Sequence, residues 1–142
     1  MRYGSGLPAK CTSRFTGHTT GVWFEKLARP YWTFADAGAE VDIAAIRRAA
    51  VPIDPRSQKP LGENDANVER FLRSKAAMAK IGATLPVEAV AWQKCDATFL
   101  PGGHGTMWDL PGSAALANLA GKAFDGDCVI AAVCPVNEHQ NG

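Results

Sequence analysis

Apolar positions in this chain fall into short runs separated by polar stretches rich in Gly and Pro, and their spacing alternates between helical and strand periods. From residue 22 to 37, Trp23, Leu27, Tyr31 and Phe34 recur at helical intervals. That predicts one helix or two short ones, with Pro30 starting the second piece and Gly38 ending it. Residues 40 to 46 read as a strand, after which Pro52, Pro55 and Pro60 break up a surface loop. Asn64 or Asp65 is placed to cap a helix running through Val68, Phe71, Leu72 and Met78 towards Ile81. A polar connection through Pro86 and Val87 leads to Asp96. A short buried strand ending at Leu100 follows, then a helix after Pro111 carrying Leu116, Leu119 and Phe124, then a strand over residues 128 to 133. Residues 1 to 21 hold no run of four apolar residues, so the first 15 are expected to be irregular, with no buried strand.

Strand, helix and strand in alternation predict a layered α/β domain, because such units cross over right-handedly into a parallel sheet. A length of 142 residues is one domain by size. Fifteen basic against 14 acidic residues, scattered along the chain, give no footprint for nucleic acid or an anionic membrane. No apolar run approaches the roughly 20 residues that span a bilayer, and the first residues lack a signal-peptide apolar region, so the cytoplasm is the expected compartment. Cys11, Cys95, Cys128 and Cys134 have no zinc-type spacing and are expected as free thiols.

Two strand ends near the carboxyl terminus carry chemistry. The first runs into Pro101-Gly102-Gly103-His104-Gly105, and the second into Cys134. Ligands of open parallel sheets sit just beyond the carboxyl ends of strands, so a thiol and a glycine turn placed there are candidates for one site. Glycines at 102 and 103 permit close backbone approach and exposed N–H groups, though a tight turn after a strand needs the same residues. Likewise a cysteine finishing a buried strand can be merely a small apolar residue, a description that suits Cys95 and Cys128 better.

The segments 16–25 (TGHTTGVWFE), Pro30-Tyr31, 36–41 (DAGAEV), 52–55 (PIDP) and 99–110 (FLPGGHGTMWDL), followed by 129–134 (VIAAVC), resemble the ThiJ/PfpI superfamily. The likeness is to its branch of glyoxalase III-like proteins and heat-inducible chaperones, relatives of class I glutamine amidotransferases. It implies a flavodoxin-like fold, a parallel sheet sandwiched by helices, usually dimeric, with the nucleophile at Cys134. It also implies action on small reactive aldehydes such as methylglyoxal, without glutathione, cofactor or metal. Gly102, Gly103 and His104 would then line the oxyanion side of the pocket. The resemblance covers residues 16 to 134. The expectation is therefore of a partial family domain lacking the first strand and the carboxyl-terminal part, with residues 135 to 142 as a tail unlike the family, as in a truncated or frameshifted gene.

The implied reaction needs a thiolate to attack the aldehyde carbon, donors for the oxyanion formed, and a base to move a proton before product leaves. Two positions depart from the family pattern. Where the family has histidine after the nucleophile, this chain has Pro135, with neither imidazole nor N–H. Where the family has a carboxylate five residues after the glycine matching Gly21, this chain has Lys26, a cation that favours a thiolate but cannot serve as base. Glu25, one helical step of about 100° away, is the nearest carboxylate. Turnover is accordingly expected to be impaired.

Other features read as structural. Asp54 and Asp109 suit turns and caps, and Trp23, Tyr31, Trp32 and Trp108 suit a core or an interface better than a pocket. The TG repeat around His18 lacks the lysine of a phosphate loop, and His139 sits in a polar tail without periodicity. Three readings remain: a cysteine-dependent enzyme, a chaperone-like protein holding unfolded clients on exposed apolar surface, and a non-catalytic fragment.

Overall fold

The strand at the centre of the sheet is built from Arg2–Leu7, whose middle, Gly4-Ser5-Gly6, holds two glycines and no apolar side chain. The computed structural model describes residues 2–7, 11–12, 19–45, 50–91, 95–101, 114–126 and 128–132. In it β1 (Arg2–Leu7) pairs in parallel with β4 (Glu40–Ala45) on one side, from Arg2 opposite Glu40 to Leu7 opposite Ala45. On its other side it pairs with β6 (Ala97–Leu100), Tyr3 to Ser5 lying opposite Ala97 to Phe99. The expectation of an irregular amino-terminal segment and a missing first strand is thereby corrected. Backbone pairing on both edges holds this strand, whereas a search for apolar runs weighs only side chains.

The five-stranded sheet has the order β5-β4-β1-β6-β7, with β5 (Leu85–Pro86) and β7 (Val129–Ala132) at its edges, and all its pairings are parallel. Proline in β5 is tolerated because an edge strand needs ladder bonds on one side only. A separate antiparallel pair joins β2 (Cys11–Thr12) to β3 (Thr19–Thr20). The fold is flavodoxin-like α/β, as expected.

Helix α1 (Phe24–Asp36) is continuous through Pro30 and buries Phe24, Leu27, Ala28 and Tyr31. Trp23 lies just before it and is partly exposed, so the apolar stripe begins one residue later than the spacing predicts. The helix ends where Gly38 adopts φ +86°: the N–H of Gly38 bonds the Ala35 carbonyl and that of Ala39 the Phe34 carbonyl, a Schellman stop.

The single helix expected towards Ile81 is two, α2 (Ala66–Arg73) and α3 (Lys75–Gly82). Ser74 between them is extended, ending α2 and accepting the Ala77 N–H on its hydroxyl to start α3. Asp65 caps α2 by accepting the Asn67 N–H, one of the two residues expected for that role. Helix α4 (Ala114–Asp125) precedes β7. Its Phe124 is 77% exposed and Val129 of β7 is 64% exposed, so Phe124 does not face the core as its position in the pattern implies.

The core lies between α1, α2, α3 and β4, where Phe71, fully buried, meets Phe24, Tyr31 and Trp32 edge-to-face at centroid distances of 5.5, 5.0 and 6.2 Å. Tyr31 and Trp32 are therefore core aromatics. On the surface, Arg70 grips Asp36 through two bonds of 2.7 Å and lies 3.9 Å from the Trp32 ring centroid, joining α2 to α1.

Three carboxylates on this side sit below the usual range. The Arg70 guanidinium holds Asp36 down, the Asn67 backbone N–H holds Asp65 down, and the Asn64 amide holds Glu69 down. A carboxyl whose folded pKa is lowered stabilises the fold above its unfolded value, and loses that contribution as pH falls through the folded value. Thermal melts are therefore expected to hold level down to about pH 5 and to drop below about pH 4, where unfolded carboxylates titrate. A melting temperature still flat at pH 3 would contradict this.

Candidate functional site

Parallel pairing brings the carboxyl ends of the strands to one edge of the sheet. Leu7 lies opposite Ala45, and Leu100 opposite Ala132. Between β1 and β6 the chain order reverses, the crevice where sheets of this kind hold ligands. Helix α1 runs from the carboxyl side of β1 to the start of β4, and its 13 residues, at about 1.5 Å each, match the depth of the sheet. Its first turn, with Glu25 and Lys26, is thereby placed at this same edge.

A second segment closes over that turn. Val22 forms a parallel bridge with Ile53, its N–H donating to the Pro52 carbonyl at 2.8 Å and its carbonyl accepting from the Asp54 N–H at 3.0 Å. This approach needs glycine at 21, since a Cβ there would lie 2.2 Å from the Pro52 oxygen. The Asp54 carboxylate, 1% exposed, accepts from the Arg56 N–H at 2.9 Å and from its guanidinium at 3.0 and 2.7 Å. It starts a short 3-10 turn, Pro55–Ser57, which is the turn role expected of it.

Ser57 was not among the residues the sequence singles out. Its hydroxyl donates to the Asp54 carbonyl at 2.7 Å and accepts the Phe24 N–H at 3.0 Å, capping a helix whose own Trp23 offers no side-chain cap. The Asp-Pro-x-Ser pattern signals a turn, but nothing local to it names an amide 33 residues away.

Glu25 is turned along its helix, with its carboxylate 2.6 Å from the Arg29 guanidinium, which also reaches Asp65 at 3.6 Å. Lys26 is half-buried on the neighbouring face. Cys134, Gly102, Gly103 and His104 lie outside the described residues, as do Pro135, Trp108, Asp109, His18 and His139. What the structure places is the pair of strand ends that lead to them: Gly102 follows Leu100 by two residues, and Cys134 follows Ala132 by two.

Cys95 and Cys128 carry thiols that are not joined in a disulfide. Cys128 directly precedes β7, at the opposite edge of the sheet from Ala132, about 13 Å along a four-residue strand. Cys95 lines a cavity of about 160 Å³ with Asp42, Ile43, Leu85 and Val90, between β4 and the β5 connection. Neither belongs to the carboxyl edge. Among the described residues no three His, Cys, Asp or Glu side chains gather as a metal site, and no helix is long and apolar enough to cross a membrane.

No family model matches the chain. The curated glutathione-independent glyoxalase hsp3101 of Schizosaccharomyces pombe is 29% identical over 119 residues, which are 83% of this chain and 48% of that protein. Among solved structures, the Rapid Encystment Protein 24 KDa of Francisella tularensis is similar with a TM-score of 0.84 at 26% identity, over 94% of this chain and 58% of that one. Glyoxalase III from Candida albicans gives 0.78 at 25% identity, over 94% and 56%. The chain thus spans about half the length of the relatives it matches. The flavodoxin-like sheet shared with these structures and the sequence likeness to the glyoxalases support the resemblance of this chain to the ThiJ/PfpI superfamily.

Proposed function

We propose that this chain carries a glyoxalase III-type site, converting methylglyoxal to lactate without glutathione through Cys134, at a rate reduced by Pro135 and Lys26. The observation that supports it most is the register of β6 and β7. Leu100 opposite Ala132 starts the glycine turn and the cysteine from paired positions, within two residues of chain.

In this reading the Cys134 thiolate adds to the aldehyde carbon, and the new C–S bond leaves a hemithioacetal oxyanion. N–H groups at Gly102 and Gly103, with His104 beside them, would take that charge. A base then moves the proton from the aldehyde carbon to its neighbour, and water releases lactate and restores the thiol. Glu25 is the carboxylate available for the base role only if it leaves Arg29, which the 2.6 Å contact opposes.

The test is methylglyoxal loss in the absence of glutathione, compared between the protein and Cys134→Ser. Slow turnover that disappears with the thiol supports the reading, and equal rates in the two proteins end it. The compartment that suits a free-thiol enzyme of this kind is the cytoplasm.

A second reading has its own observation. Phe124 and Val129 expose apolar surface beside the outer edge of β7, which suits holding an unfolded client or forming a homodimer. It predicts protection of a heat-denatured client that survives Cys134→Ser.

A further inference from the structure

We propose that Ser57, oriented by Asp54, is a positioning residue that fixes the first turn of α1 and so the direction in which Glu25 and Lys26 face the carboxyl edge of the sheet. The inference rests on the reading of that edge as the site.

The support is a closed circuit of hydrogen bonds. The Val22 carbonyl accepts the Asp54 N–H at 3.0 Å; the Asp54 carbonyl accepts both the Ser57 N–H at 2.9 Å and its hydroxyl at 2.7 Å; and the Ser57 oxygen accepts the Phe24 N–H at 3.0 Å. The circuit brackets Trp23, so the angle at which the chain enters α1 is set from outside the helix. Because the Ser57 proton is committed to Asp54, its lone pairs are turned to Phe24. Asp54 cannot drift, since its buried carboxylate is clamped by Arg56 and its N–H by Val22.

An ordinary cap at position 23 would have stabilised α1 equally well. Delegating it to Ser57 ties Glu25 and Lys26 to the segment after β4, and leaves position 23 free for a partly exposed tryptophan at the same edge. Small displacements at such a turn weigh more on turnover than on binding, since a misplacement of about 1 Å costs about 100-fold in rate.

The experiment compares the full chain with Ser57→Ala and Ser57→Thr by amide hydrogen exchange and by methylglyoxal turnover. In Ser57→Ala the Phe24 amide is expected to exchange about tenfold faster, while the Ala77 amide, capped by Ser74, keeps its rate. With methylglyoxal, kcat is expected to fall about tenfold or more at unchanged KM, and Ser57→Thr to restore both readouts. Acceleration of all amides together, an unchanged Phe24 amide, or an unchanged kcat beside a loosened turn would overturn the proposal. If the unmodified protein consumes no methylglyoxal, the glyoxalase reading has failed. Exchange at Phe24 against Ala77 then decides the positioning role alone.

Discussion

Pro135→His is expected to raise methylglyoxal consumption about 100-fold, the lower end of what a positioned acid–base group contributes. The substitution restores two things together. On the proposed glyoxalase reading, these are an imidazole for the proton that moves between the substrate carbons and a backbone N–H at the residue after Cys134. Pairing it with Lys26→Glu adds a carboxylate at the helix position one step from Glu25, whose own carboxylate is occupied by Arg29. The rise is to be read as kcat in a folded sample, with Cys134→Ser in the same background as the control. No gain in a folded Pro135→His variant would mean that something other than proton transfer limits the site.

Phe71→Ala is expected to cost about 3–5 kcal/mol, the range for removing a buried aromatic ring. Phe71 is fully buried and touches Phe24, Tyr31 and Trp32 edge-to-face, so its removal opens a cavity at the junction of α1 and α2. Against a total stability of about 5–15 kcal/mol for a typical domain, that is a large share. The measurement is the urea midpoint, with Phe71→Leu as the milder companion that keeps most of the apolar area but loses the ring contacts. A midpoint unchanged in Phe71→Ala would mean that the aromatic cluster is not where the fold is held.

The elements with strong periodicity were legible: α1, β4, β6, α4 and β7 lie within a few residues of where the apolar spacing puts them. The central strand was not, because Gly4, Ser5 and Gly6 carry no apolar signal and the segment is held through main-chain bonds to two neighbours. Nor was the break at Ser74, since Val68, Phe71 and Ile81 continue one buried face across it and only the capping bond reveals the change of direction. The candidate chemistry, the glycine turn and Cys134, rests on local patterns of sequence at positions outside the described residues. The support of α1 was not legible, because Ser57 and Phe24 meet only after β4 has carried the chain across the sheet.

That distance has a consequence for the order of assembly. As the chain is synthesised, α1 is complete at Asp36 before the hydroxyl that caps it, 33 residues after Phe24, has been made. Its first turn then waits on closure of a long loop, whose entropy must be met before the contact rewards it. The first turn of α1 is thus the last part of that helix to settle, whereas the Gly38 stop, formed from neighbours, can settle first.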